Sequence, residues 1–66
     1  MKELQIRKEI YSAQSVLAAV AAYSGYARIS VIEEAKYIQV SFTDCKYDEI
    51  RTVKEFENYL IGLENI

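Results

Sequence analysis

Two neighbouring runs, YARISVIE at 26–33 and KYIQVSFT at 36–43, constrain this chain most, because both alternate apolar and polar residues with period two. Side chains on a strand alternate between its faces, so each run reads as a strand buried on one side. Ala27, Ile29 and Val31 share one side of the first run, and Ile38, Val40 and Phe42 share one side of the second. The short EEAK at 33–36, whose first and last residues belong to the two runs, joins them and predicts a hairpin without the Asn-Gly or Gly signal of the tightest turns. The opening ELQIRKEIY at 3–11 alternates as well, with Leu4, Ile6 and Ile10 opposed to Glu3, Gln5, Arg7 and Glu9. Lys8 falls on its apolar row, which suits an edge strand, where charge discourages sheet-to-sheet association.

Two segments follow the helical period instead. After Ser12 as N-cap, AQSVLAAVAAYS places apolar residues at Ala13, Val16, Leu17 and Val20, and Gly25 is positioned to end the helix in a left-handed conformation. Following the loop DCKYDEIR, Thr52 with Glu55 three residues on forms a capping box for a helix over 52–63. Its inner face is Val53, Phe56, Leu60 and Leu63, with Tyr59 at the margin. The expected fold is a single α+β domain over 1–66, of order βαββα, with two helices packed on one face of a three-stranded sheet. The third strand is expected between the first two, as in an incomplete ferredoxin-like fold that lacks its last strand.

The 66-residue length puts such a core near the lower limit of self-sufficiency, where disulfides, metals or self-association usually help. A single cysteine, Cys45, forms no internal disulfide, and without histidine a zinc site of nitrogen and sulfur ligands is excluded. Self-association, with a homodimer as the simplest form, or a protein partner is the remaining expectation. The net charge of −2 argues against tight binding to nucleic acid or anionic lipid. Residues 10–27 are uncharged, but polar interruptions leave only 16–23 continuously apolar, too short to span a bilayer. No export signal is visible, and the lone thiol fits a reducing compartment, so a soluble cytoplasmic protein is expected.

Catalytic signals are absent: there is no histidine, no phosphate loop, and no GxSxG or CxxC. Glu33 and Glu34 are adjacent in a hairpin and point apart, and Asp44, Asp48 and Glu49 match no calcium loop. The chain is expected to be neither an enzyme nor a cofactor binder. The open sheet face, expected to carry Gln5, Arg7, Tyr11, Tyr26, Arg28, Tyr37, Gln39 and Ser41, offers aromatics and arginines that stack bases, but it lacks the sequence signature of that class. A solvated or dimer-covered face is the plainer reading of it.

Helical projection of 13–24 places Gln14, Ser15, Ala18, Ala19 and Ala22 outward, with no charge among them. Such a face suits close approach by another backbone, although alanine is also simply the best helix former. On the last helix Glu55, Asn58 and Gly62 project outward. Asn58 has no local reason to be there, so its amide is expected to bond a loop carbonyl, for instance in CKYDE at 45–49, or to lie on a contact surface. The expected partner-contact residues are therefore Ala18, Ala19, Ala22, Glu55, Asn58 and Tyr59.

YSAQSVLAAVAAYSGY, the strands after it, and EFENYLIGL together resemble the His-Xaa-Ser system HxsD family over about 11–63. Tyr11, Ser12, Ala18 or Ala19, and Tyr23 match the Tyr-rich helix entry of that family. Glu55, Phe56, Asn58 and Leu60 match its late E-F-x-N-x-L helix. The resemblance implies a small accessory protein that accompanies radical SAM maturases of ribosomally made peptides. The leading expectation is a non-catalytic adaptor contacting a maturase or its peptide substrate. A nucleic-acid or small-ligand module using the open sheet face, and a structural homodimer, are the alternatives.

Overall fold

A computed structural model of the chain describes residues 2–65. The elements run β1 (Lys2–Arg7), α1 (Ala13–Tyr23), β2 (Arg28–Glu33), β3 (Tyr37–Thr43) and α2 (Glu49–Glu64), so the order is βαββα. The sheet order is β1-β3-β2, with β3 central and antiparallel to both neighbours. Leu4 lies opposite Val40, and Ile6 opposite Ile38; from the other side Ile29 lies opposite Phe42, and Val31 opposite Val40. Directly opposed residues share a face, so every apolar row points the same way. Both helices cover that face: Val16 and Ala19 of α1, and Val53, Phe56 and Leu60 of α2, join Ile6, Ile38, Val40 and Phe42 in one buried cluster. The α+β architecture and the central third strand are as the periodicities predict.

The departures are local, and each has an identifiable cause. β1 stops at Arg7 instead of running on to Tyr11, because the N–H groups of Ile10 and Tyr11 both turn back to the Arg7 carbonyl, each at 3.1 Å. Ile10 is consequently exposed, and Tyr11 packs against the core rather than lying on the open sheet face. α1 is rotated from the expected orientation. Its inward stripe is Val16, Ala19, Val20 and Tyr23, while Ala13 and Leu17 face outward, Leu17 with 59% of its surface accessible. Tyr23 sets that rotation. Its ring is the bulkiest group on the helix, packs edge-on to Phe56, and donates its hydroxyl to the Glu55 carbonyl. Ala19, expected outward, is completely buried and belongs to the core cluster.

Helix ends also differ. Ser12 caps α1 as expected, accepting from the Ser15 N–H, but its own N–H donates at 2.7 Å to the Glu64 carboxylate of α2. A distant glutamate thus takes the reciprocal role that a local one plays in a capping box. Gly25 has no positive φ; α1 ends through Ser24 in the right-handed region, whose N–H and hydroxyl both donate to the Ala21 carbonyl. Among the described residues, Asp44 just after β3 is the one with positive φ, at 52°. α2 begins four residues earlier than the Thr52 capping box predicts. Asp48 is the N-cap, accepting from the Arg51 N–H at 2.9 Å. Aspartate outranks threonine at this position, and Thr52 is instead buried inside the helix with its hydroxyl donating to the Asp48 carbonyl.

Gly62 sits within α2, and a Cβ built on it meets nothing within 4 Å. Gly62→Ala is therefore expected to stabilise the fold by about 0.5–1 kcal/mol, through the lower helix propensity of glycine. A rise in the urea midpoint with an unchanged slope checks this.

Candidate binding groove

The unusual surface of this molecule is built from tyrosines. Phe42 of β3 meets Phe56 of α2 edge-to-face, their centroids 5.1 Å apart, which anchors one end of a ring series in the core. Tyr23 follows, 5.8 Å from Phe56, and from it the series branches to Tyr59 at 5.7 Å and Tyr26 at 5.6 Å. Tyr47 closes the outer end, 6.0 Å from Tyr26. These spacings and tilted or edge-on geometries are the ones aromatic quadrupoles favour. The series passes from full burial to the surface: Tyr59 is 42%, Tyr26 45% and Tyr47 63% accessible.

Backbone contacts explain why these rings converge. Tyr26 lies in the turn between α1 and β2, and the Tyr23 carbonyl accepts its N–H. The Lys46 N–H donates at 2.7 Å to the Tyr26 carbonyl, fastening the β3–α2 loop to that turn and bringing Tyr47 beside Tyr26. Asp48 then starts α2, which presents Arg51 and Glu55 one turn apart, their side chains 3.4 Å from each other. An open groove of about 570 Å³ results, lined by Tyr23, Tyr26, Tyr47, Arg51, Thr52 and Glu55, with Asp48 at its end. That volume falls in the range of small-ligand and peptide side-chain sites.

The exposed Arg51–Glu55 pair contributes at most about 1 kcal/mol to stability, so its residues are available to a ligand at little cost. Burial, followed by the negative charge of Glu55 and then by Tyr26 and Tyr59, raises the Tyr23 pKa above its ordinary 10.0. A raised folded-state pKa favours the neutral phenol, so this contribution is complete below the unfolded pKa and disappears as pH rises through the folded one. Stability is expected to fall at alkaline pH above 10.0 in the native chain, and less steeply in Tyr23→Phe. Thermal unfolding across that window measures the difference.

Of the expected contact residues, Glu55 and Tyr59 meet at Tyr23, and Glu55 lines the groove. Ala18 and Ala22 are exposed on α1, and Ala19 belongs to the core. Asn58 is exposed, and its side chain makes no hydrogen bond to the described residues, so the expected bond to a loop carbonyl is not formed. Tyr26, expected on the open sheet face, belongs to the groove instead. Tyr47 and Arg51 were not anticipated at all. The signal that would have found them is Asp48, since a helix starting there puts Arg51 and Glu55 on one side and Tyr47 at its mouth.

Elsewhere the chemistry is sparse. Among the described residues no three His, Cys, Asp or Glu side chains gather as a metal site. Cys45 is a free, half-buried thiol in the β3–α2 loop, its pKa pushed up by burial and then by Glu49, which lowers its nucleophilicity at neutral pH. Among the described residues no helix is long and apolar enough to cross a membrane. Comparison of the chain with protein-family models, with curated proteins and with solved structures finds no match.

Proposed function

We propose that this chain is a small non-catalytic accessory protein that captures an extended peptide segment in its tyrosine groove. One observation carries the reading: three partly exposed tyrosine rings are held in register by a buried phenylalanine pair and border one open groove. Tyrosine presents large, rigid contact area with a polar tip at low entropic cost, which is why it is enriched where proteins meet. An apolar, aromatic or proline side chain fits among the rings of Tyr23, Tyr26 and Tyr47. At the rim, Arg51 and Glu55 supply a donor and an acceptor for the main chain of the peptide. The resemblance to the HxsD family supplies the candidate occupant, a precursor peptide or an exposed segment of the radical SAM maturase that modifies it.

The open sheet face is a poorer platform. It carries Tyr37 opposite Arg7, with Glu3, Gln5, Arg28, Ser30, Ile32, Gln39 and Ser41 around them, and so a single aromatic ring where base stacking uses several. Selection of a random-peptide display library on the immobilised protein tests the proposal. Binders that are lost on the Tyr26→Ala/Tyr47→Ala variant are the expected result. Binders retained on that variant, or none at all, contradict it.

A further inference from the structure

The two edges of the sheet are not equivalent. Antiparallel pairing directs alternate residues toward the neighbouring strand and the rest toward open space. The Lys8 N–H donates to the Lys36 carbonyl, and the Glu34 N–H to the Tyr37 carbonyl. The even-numbered residues of β1 and β2 therefore face β3, leaving Glu3, Gln5 and Arg7 on one free edge and Ile29, Val31 and Glu33 on the other. The β1 edge is protected: Lys2, Glu3 and Arg7 bring charge to it, and the Arg7 carbonyl is occupied by Ile10 and Tyr11. The β2 edge has no such protection. Its central residues are Ile29, Ser30, Val31 and Ile32, and none of the described backbone bonds outside the ladder reaches Ile29, Val31 or Glu33.

Apolar side chains flank this edge on both faces. Leu17 of α1, turned outward by the rotation of the helix, borders a shallow hollow with Val31, Glu33 and Ile38. Ile32 lies 53% accessible on the opposite face. The ends of the edge are of opposite charge, Arg28 at one and Glu33 with Glu34 at the other, and Glu33 is already paired with Lys8 at 2.6 Å. Arg28 is only 3.9 Å from Asp44 in an exposed pair, and Glu34 makes no ion pair with the described residues.

We infer that a second copy of this chain docks antiparallel on the β2 edge, extending the sheet across a two-fold axis at Val31. Pairing Val31 with the partner's Val31 keeps both helix layers on one side and opposes like-facing residues throughout. Ile29 then exchanges main-chain bonds with the partner's Glu33, and Arg28 stands opposite the partner's Glu34, with the reciprocal pair on the far side of the axis. Leu17 and the partner's Leu17 cover the seam above, and Ile32 covers it below. This charge complementarity selects the second copy over an arbitrary strand, because the match requires Arg28 and Glu34 at equal distances from the axis. The tyrosine groove involves none of these side chains, so the inference stands or falls apart from the peptide-binding reading.

Sedimentation equilibrium up to millimolar concentration, with amide exchange measured on the same samples, tests it. A reversible dimer is expected, with the amides of Ile29, Val31 and Glu33 gaining protection as concentration rises while those of Glu3 and Gln5 do not. Arg28→Glu is expected to weaken the dimer about tenfold or more, as attraction becomes repulsion at both ends. Arg28→Glu/Glu34→Arg restores it, and Leu17→Lys weakens it again; all three positions are exposed, and circular dichroism confirms folding. A strict monomer at every concentration overturns the inference, as does a dimer indifferent to Arg28→Glu. Protection of the β2 amides that arises only when a peptide is added also overturns it, and assigns the edge to strand addition by that peptide.

Discussion

Phe56→Ala is expected to leave the chain largely unfolded in water. The side chain is completely buried, touches Phe42 edge-to-face and bears the ring of Tyr23. Removing such a phenylalanine costs about 3–5 kcal/mol, the lost transfer energy plus the unfilled cavity. A domain of this length has a total stability of about 3–10 kcal/mol on per-residue averages, so the substitution consumes much or all of it. The small core also gives little means of collapsing into the hole, since β3 on one side is pinned by both of its neighbours. Loss of the cooperative urea transition, followed by circular dichroism, is the expected result. A destabilisation below about 1 kcal/mol would mean that Phe56 is not the keystone of this core.

The second large effect separates binding from folding. Tyr26→Ala/Tyr47→Ala removes the two most exposed rings of the aromatic series, whose hydroxyls make no hydrogen bond to the described residues. Their loss is expected to cost about 1–2 kcal/mol of stability, the value of exposed aromatic contacts. Binding of a groove-selected peptide is expected to fall about 1,000-fold, because anchor tyrosines in an interface are worth about 2 kcal/mol each. Isothermal titration alongside denaturant melts reads both quantities from one preparation. Equal losses in the two would make these tyrosines structural rather than ligand-binding.

The strands were legible in the sequence because their signal is local. Alternation in 26–33 and 36–43 marks the buried rows of β2 and β3 from the residues alone, and the register then follows from burying both rows together. Helix orientation was less legible. Ala13, Val16, Leu17 and Val20 make as good a stripe as Val16, Ala19, Val20 and Tyr23, and only the tertiary contact of Tyr23 with Phe56 and the Glu55 carbonyl decides between them. The start of α2 was misplaced for a related reason. Thr52 and Asp48 are both acceptable caps, and the choice rests on Thr52 being needed inside, where its hydroxyl bonds the Asp48 carbonyl.

The groove was the least legible part. Its residues come from the end of α1, the α1–β2 turn, the β3–α2 loop and the first turns of α2. They meet because Lys46 bonds Tyr26 across a long sequence separation, a contact that no periodicity encodes. Glu55 and Tyr59 were found through their place on the last helix, whereas Asn58, singled out for its low helix propensity, makes no hydrogen bond within the described fold. It is exposed, and it does not line the groove.

Nuclear magnetic resonance mapping with a peptide taken from the display selection tests whether the proposed partner docks in the tyrosine groove. Amide and ring shifts are expected to concentrate at Tyr23, Tyr26, Tyr47, Arg51, Glu55 and Tyr59, while the open sheet face around Tyr37 and Gln39 stays unchanged. Shifts confined to the sheet face, or to the Ile29–Val31–Glu33 edge, with the tyrosine rings unmoved, would contradict it.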